Sequence, residues 1–177
     1  MPLQTQDIAR ICKARLVNVE SSWPRLIEAL EARGIRSDLV EVATAATVAI
    51  ETARTFRPIN EYGGEQYFTE HYEHRTDLGN VRPGDGARYH GRGFVQLTGR
   101  VNYRLGSHIA GCDLEEEPEK ALDPGISARL LADFFATRHV AEAANEGNWV
   151  QVRHRVNGGL NHWAEFKACV DGLLEVV

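Results

Sequence analysis

Two glutamates, Glu51 and Glu61, are candidates for the acid and the base of a hydrolytic reaction. A buried, protonated carboxyl group paired with a solvated carboxylate is the arrangement that glycosidases use. Glu51 ends a helical pattern, where the negative end of the helix dipole would raise the pKa of its carboxyl group, and burial beside Ile50 and Phe56 would raise it further. The chain holds 25 acidic residues, so an ordinary surface role for Glu51 stays open.

The segment from Arg88 to Tyr103 reads Arg-Tyr-His-Gly-Arg-Gly-Phe-Val-Gln-Leu-Thr-Gly-Arg-Val-Asn-Tyr. Its three glycines allow positive φ or a close approach of the backbone to a neighbour. Gln96 interrupts the apolar run, and a buried amide must find hydrogen-bond partners. The segment therefore either ties down a loop or binds a polar ligand.

Other chemistries have weaker support. His71 and His74 have a metal-like spacing on one predicted helix face, but the zinc-protease glutamate and a third ligand are missing. No serine or cysteine nucleophile motif is present. Cys12, Cys112 and Cys169 are widely spaced and odd in number, which favours free thiols in a reducing compartment. We therefore expect neither a metal nor a cofactor.

The composition is that of one soluble globular domain spanning residues 1–177, with 43% hydrophobic and 25% charged residues. A net charge of -5 argues against a nucleic-acid partner. A local group of arginines could form a basic patch or be paired with acids: Arg82, Arg88, Arg92, Arg100 and Arg104. The N-terminus shows no signal peptide, and no apolar run reaches the roughly 20 residues of a transmembrane helix. We expect no membrane partner.

The elements that would position these residues are mainly helical. Thr5 and Ser22 could cap the first two helices, the second ending at Gly34, and Asp38 with Glu41 has the spacing of a capping box for an alanine-rich third. A short helix over 65–72 and a long irregular segment over 77–93, with room for a small hairpin, follow. Further helices are predicted over 100–109, from Asp123-Pro124 onward, over 149–156 and over 162–174.

Three segments carry a resemblance to a known family, in this order: Ile50-Glu51-Thr52, the run from Tyr89 to Tyr103, and Val156-Asn157-Gly158-Gly159. They resemble the ordered motifs of glycoside hydrolase family 19, the chitinase family that includes lysozyme-like bacteriophage endolysins. The stretches Glu61-Tyr62-Gly63-Gly64, Asp77-Leu78-Gly79-Asn80 and Asp85-Gly86-Ala87-Arg88 resemble the endolysin branch more than plant chitinases.

The resemblance implies a lysozyme-like, mainly α fold of α+β type, whose long central loop and small hairpin line a substrate cleft for a β-1,4-linked N-acetylhexosamine polymer. It implies an inverting mechanism in which Glu51 is the general acid, Glu61 is the base and Thr98 helps to hold the attacking water. The implied substrate-binding residues are Tyr89, Gln96, Asn102, Tyr103 and Asn157. Because inversion needs space for water, the two carboxyl groups should lie roughly 6.5–9.5 Å apart.

The chain departs from the family pattern at three places. Ile50 stands where the family usually has histidine, and Ala53-Arg54 stand where it has glycines. A family arginine that follows the Asn-Gly-Gly motif has no clear counterpart, since Lys167 is the basic residue found there. Glu65 lies close enough in sequence to compete with Glu61 as the base.

The sequence therefore predicts a monomeric endolysin-type glycosidase that cleaves the glycan strands of peptidoglycan. It would be made in a host cytoplasm without a signal peptide, act on the bacterial cell wall, and form a whole enzyme or one module of a larger lysin. A chitinase acting on chitin is the first alternative. A cell-wall-binding module that has lost catalysis is the second, motivated by the altered surroundings of Glu51.

Overall fold

The structure is a computed structural model that describes residues 3–177. Met1 and Pro2 lie outside the described residues. They are the first residues of the N-terminal segment in which the sequence predicts no signal peptide. The helices are α1 (Thr5–Ile11), α2 (Leu16–Ala32), α3 (Asp38–Glu51), α4 (Glu65–Tyr72), α5 (Asp85–Arg88), α6 (Arg100–Ala110), α7 (Pro124–Thr137), α8 (Val140–Asn145), α9 (Trp149–Asn157) and α10 (Trp163–Leu174). The strands are β1 (Ile59–Asn60) and β2 (Arg92–Gly93), and 3₁₀ turns cover Thr76–Leu78 and Pro118–Leu122. The predicted mainly α class is confirmed.

The chain forms two compact units. The first contains the described residues up to Arg57 together with Leu131–Val177, and the second is Pro58–Leu130. The single catalytic domain predicted over residues 1–177 stays a prediction. No helix within residues 3–177 has both the length and the hydrophobicity that a membrane span requires.

Helix α3 is the central element of the first unit. Every residue from Val40 to Ala49 is buried, and the helix packs against α8, α9 and α10. Small alanine side chains let neighbouring helices approach closely, while Val40, Val42 and Val48 contribute apolar surface. The interior position predicted for this alanine-rich helix is confirmed, and it ends at Glu51.

The predicted helix starts were less accurate than the helices themselves. Ser37, not Asp38, caps α3, because its Oγ accepts a hydrogen bond from the Val40 amide at 3.2 Å. Glu41 pairs with Arg36 at 2.7 Å instead of completing a capping box. Gln4 is the N-cap of α1, and no side chain caps that helix, so the predicted cap at Thr5 is wrong.

Helix α2 begins earlier than predicted. It starts at Leu16, so Ser22 lies within it, and the Ser22 hydroxyl donates to the carbonyl oxygen of Phe56 at 2.9 Å. The apolar stripe that includes Val19 and Trp23 extends the helix toward its N-terminus, and burial of that stripe outweighs the capping preference of a serine.

The second unit is built around a small antiparallel pairing of β1 with β2, in which Ile59 faces Gly93 and Asn60 faces Arg92. Arg92 also exchanges two backbone hydrogen bonds with Leu97, at 3.2 and 2.9 Å, which closes the loop between them. The hairpin predicted within 77–93 is wrong, because the partner of β2 is the distant strand β1. Within that stretch the chain forms the end of a 3₁₀ turn and α5 instead.

Candidate active site

The carboxyl group of Glu51 lies at the C-terminal end of α3 and forms an ion pair. Its Oε1 atom accepts a hydrogen bond from Nη1 of Arg153 at 2.5 Å, and the two side chains are 18% and 2% exposed. Arg153 lies on α9 and also donates from Nε to the carbonyl oxygen of Asn161 at 2.8 Å. A buried guanidinium with two fixed acceptors gives Glu51 a defined orientation and a positively charged neighbour.

Arg153 is the residue at this site that the sequence prediction missed. The expected family arginine was sought after Asn157, whereas Arg153 precedes it by one helical turn. Residues four apart share a helix face, and Nδ2 of Asn157 donates to the same Asn161 carbonyl at 3.3 Å. That spacing was the available sequence signal. Oδ1 of Asn157 accepts from the Gly159 amide at 3.0 Å and so shapes the Asn-Gly-Gly turn.

The chain after Glu51 adopts a strained turn. Ala53, Arg54 and Phe56 have φ values of 49°, 64° and 56°, in the left-handed region that glycine tolerates best. Ala53 and Arg54 occupy the positions where the family usually has glycine, so the chain adopts left-handed conformations there without glycine. Nη1 of Arg54 donates to the Cys12 carbonyl at 2.7 Å, and Phe56 is fully buried. These contacts hold the turn against its strain.

Glu61 follows β1 directly and is fixed through both carboxylate oxygens. Its amide donates to the Gly91 carbonyl at 2.8 Å, and its Oε2 accepts from the Gly91 amide at 3.0 Å. Its Oε1 accepts from the Tyr72 hydroxyl at 2.6 Å. Glu65, the competing candidate, is the exposed first residue of α4. Of the two, Glu61 is partly buried and has the more structured surroundings.

The side chains of Glu61 and Gln96 both lie close to Gly91, which has no side chain of its own. A Cβ atom on Gly91 would lie 2.3 Å from Oε1 of Gln96 and 3.0 Å from Oε2 of Glu61, so no larger residue fits without displacing them. Both polar atoms of the Gln96 amide are buried and have no hydrogen-bond partner among residues 3–177. A buried amide without partners loses the hydrogen bonds that a polar ligand could restore.

Thr98 and Asn102 continue the hydrogen-bonded segment that starts at Gln96. The Thr98 hydroxyl donates to the Gln96 carbonyl at 3.3 Å, and Nδ2 of the exposed Asn102 donates to the Thr98 carbonyl at 2.7 Å. These bonds connect the loop to the first turn of α6. The three predicted functional side chains therefore belong to one ordered segment of the second unit.

Tyr89 and Tyr103 lie beneath this segment in the core of the second unit. They are 1% and 0% exposed, and their ring centroids are 5.3 Å apart. The Tyr89 hydroxyl donates to the Glu115 carbonyl at 3.0 Å, and the Tyr103 hydroxyl donates to the His90 carbonyl at 2.8 Å. Buried side chains at these positions support the loop, which fits the predicted role of shaping the groove. Their assignment as substrate-binding residues stays a prediction.

The arginines of the central region are largely paired, so the predicted alternative of paired side chains fits better than an open basic patch. Arg100 bonds both Asp85 and Glu115, and Arg104 bonds Glu115. Hydrogen bonding to Arg104, and then to Arg100, lowers the pKa of Glu115 to about 2 although desolvation opposes it. Arg92 is buried and donates to the Tyr103 hydroxyl at 2.8 Å.

The predicted site residues are divided between the two units. Glu51 and Asn157 belong to the first unit, whereas Glu61, Gln96, Thr98 and Asn102 belong to the second. The predicted separation of the two carboxyl groups stays a prediction. Within residues 3–177 no group of three or more His, Cys, Asp and Glu side chains could hold a metal ion. Nδ1 of His71 instead contacts the Tyr67 carbonyl at 2.8 Å.

The chain is similar to a known protein over part of its length and to solved structures in its fold. No protein-family model matches the chain. A glycosyl hydrolase family 19 domain-containing protein of Haemophilus influenzae is 33% identical over 90 residues, which cover 51% of this chain and 43% of that protein. The chain thus matches less than half the length of this relative.

The chain also shares its fold with solved structures of chitinases. Chitinase C from Streptomyces griseus has a TM-score of 0.68 over 97% of this chain and 74% of its own, at 18% identity. A bacterial family 19 chitinase has a TM-score of 0.72 over 96% of this chain and 94% of its own, at 16% identity. The resemblance to glycoside hydrolase family 19 and the lysozyme-like fold are therefore confirmed.

Proposed function

We propose that this chain, which is similar to glycoside hydrolase family 19 and has the fold of its chitinases, is a glycosidase that cleaves the glycan strands of peptidoglycan. The observation that carries the proposal is the different environment of two glutamates. Glu51 faces a buried arginine, whereas Glu61 accepts neutral hydrogen bonds from Tyr72 and the Gly91 amide. Two carboxyl groups in unlike surroundings suit the separate roles of acid and base.

In the proposed reaction Glu51 takes up a proton before each turnover and donates it to the glycosidic oxygen as the bond to the anomeric carbon breaks. The resulting carboxylate is stabilised by the adjacent Arg153 guanidinium, which is already in place when the charge develops. Glu61 removes a proton from a water molecule that attacks the anomeric carbon from the opposite face. The new reducing end therefore has inverted configuration, and the carboxyl groups should be separated by roughly 6.5–9.5 Å.

The substrate would be held by polar side chains of the ordered segment. The unpaired amide of Gln96 can both donate to and accept from an N-acetyl group, and Asn102 and Asn157 can add further hydrogen bonds. Thr98 would help to hold the attacking water. Glu61 is preferred to Glu65 as the base because both of its oxygens are oriented by defined donors.

Peptidoglycan is preferred to chitin on sequence grounds. The stretches around Glu61 and Asp85 resemble the endolysin branch, and an endolysin acting on the bacterial wall, alone or as a module of a larger lysin, would cut such strands. Chitin is the second candidate, because the solved structures that share the fold are chitinases. A wall-binding module without catalysis would bind the polymer and leave it intact.

The decisive experiment compares the purified chain with Glu51→Gln and Glu65→Gln on peptidoglycan and on chitin oligomers. Mass spectrometry identifies the new reducing-end sugar, and proton NMR of fresh products reports its anomeric configuration. We expect inverted products from peptidoglycan, a loss of at least about 1000-fold in Glu51→Gln, and little change in Glu65→Gln. Products from chitin alone would favour the chitinase, and no product from either polymer would contradict a glycosidase.

A further inference from the structure

Tyr72 is the side chain that orients one of the two carboxylate oxygens of Glu61. Its hydroxyl donates to Oε1 at 2.6 Å, while the Gly91 amide donates to Oε2 at 3.0 Å. With one donor on each oxygen, rotation of the carboxylate plane would break a hydrogen bond. The Gly91 donor is a backbone amide, which a substitution does not remove. The Tyr72 donor is a side-chain hydroxyl, which a substitution can remove.

Tyr72 is itself held in place by neighbouring groups. Its carbonyl oxygen accepts from Nδ2 of Asn80 at 2.9 Å, and its ring stacks on Phe68 with centroids 6.4 Å apart. Phe68 in turn stacks on His90 at 4.2 Å between centroids, and His90 immediately precedes Gly91. Both donors to Glu61 are therefore connected through one aromatic stack, which fixes their relative position.

The surroundings of Tyr72 keep its hydroxyl protonated, so that it remains a hydrogen-bond donor to Glu61. Burial, and then the hydrogen bond to Glu61, raise the pKa of Tyr72 far above its usual range, so its hydroxyl stays protonated at every working pH. Burial lowers the pKa of His90, which therefore tends to be neutral beside Glu61. Tyr67 and Arg75 also affect the pKa of Tyr72. Arg92 also affects the pKa of His90, and Tyr103 is the other titratable group beside His90.

We propose that Tyr72 is a positioning residue for the reaction: it orients the Glu61 carboxylate toward the attacking water. This inference rests on the proposed function, in which Glu61 is the base. Tyr72 need not touch the substrate, and no bond to it forms or breaks. Its removal should therefore alter how well the base works and leave substrate binding nearly unchanged.

Tyr72→Phe tests the proposal, because phenylalanine keeps the ring stack and removes only the hydroxyl. We expect kcat to fall about tenfold and KM to change less than about twofold. Tyr67→Phe on the same helix is the matched control and should keep the parental kcat and KM.

The NMR chemical shift of the Glu61 carboxyl carbon supplies a second measurement that needs no activity. At a fixed neutral pH it should change in Tyr72→Phe, because Oε1 loses its hydrogen-bond donor, and should keep the parental value in Tyr67→Phe. An unchanged chemical shift together with an unchanged kcat would overturn the role of Tyr72 while leaving the glycosidase intact. Full activity in Glu61→Gln would instead show that the base is misassigned, and an inactive parent would contradict the proposed function itself.

Discussion

The ion pair between Glu51 and Arg153 places an almost fully buried guanidinium beside a largely buried carboxylate. Arg153 is 1% exposed, and removal of one member of a buried pair leaves the other charge without compensation. In the proposed reaction the same contact would give a charged partner to the conjugate base of Glu51. The ion pair would then serve both stability and catalysis.

Arg153→Met should destabilise the protein by about 3 kcal/mol, at the lower end of the range for buried pairs because the Glu51 side chain is still 18% exposed. Urea unfolding measures the change. Arg138→Met, which removes an exposed arginine lying over the Phe134 ring, should cost no more than about 0.5 kcal/mol. Equal effects of the two substitutions would show that the buried ion pair contributes little.

The sequence suggests the two glutamates as candidates for the acid and the base but does not show their partners. Glu51, Glu61 and the ordered segment around Gln96 follow from motif order. Arg153 is 102 residues from Glu51 in sequence, and no local pattern connects them. Tyr72 was assigned only to a short helix, and its contact with Glu61 joins that helix to the loop that follows β1.

The chain that follows α3 adopts a left-handed backbone conformation that is energetically unfavourable for residues other than glycine. Ala53 is exposed, and its φ of 49° is costly for a residue with a Cβ atom, by roughly 1 kcal/mol. Buried neighbours compensate, because Phe56 lies in the core and its amide donates to the Thr52 hydroxyl at 3.0 Å. The turn that follows the proposed acid is thus fixed by packing and not by glycine.

Ala53→Gly should stabilise the protein by up to about 1 kcal/mol, since glycine adopts a left-handed conformation without the Cβ clash. Ala168→Gly, in the exposed part of α10, is the control of opposite sign and should cost about 1 kcal/mol through loss of helix propensity. Thermal unfolding of the two variants checks the pair. Destabilisation by both would show that Ala53 is not strained.

Predictions at the level of elements succeeded for most helices and failed at several of their ends. The helices over 65–72, 100–109 and 149–156 were predicted almost to their bounds. The cap at Ser22 and the hairpin within 77–93 were wrong. In both cases a partner distant in sequence, Phe56 for the serine and β1 for β2, decided the structure.

At the scale of the whole molecule, composition and helical pattern were enough for the fold class but not for the charge arrangement. A net charge of -5 gives no sign that Arg100 and Arg104 converge on Glu115, or that Arg100 also bonds the buried Asp85. Desolvation would raise the pKa of Asp85, but the hydrogen bonds from Arg100 and from two backbone amides lower it overall. Folding therefore depends on keeping both carboxylates ionised.

The free energy of unfolding should consequently fall in acid. The pKa of Glu115 is about 2 in the folded chain and 4.5 as its reference value, so its contribution is complete above pH 4.5 and is lost as the pH falls toward 2. Glu115→Gln should remove about 1–2 kcal/mol at pH 7, after allowance for solvent screening, and flatten the decline below pH 4.5. Urea unfolding between pH 7 and pH 2.5 measures both effects. Glu116→Gln, whose side chain is 78% exposed, should keep the parental slope. An equally steep decline in Glu115→Gln would place the acid sensitivity elsewhere in the molecule.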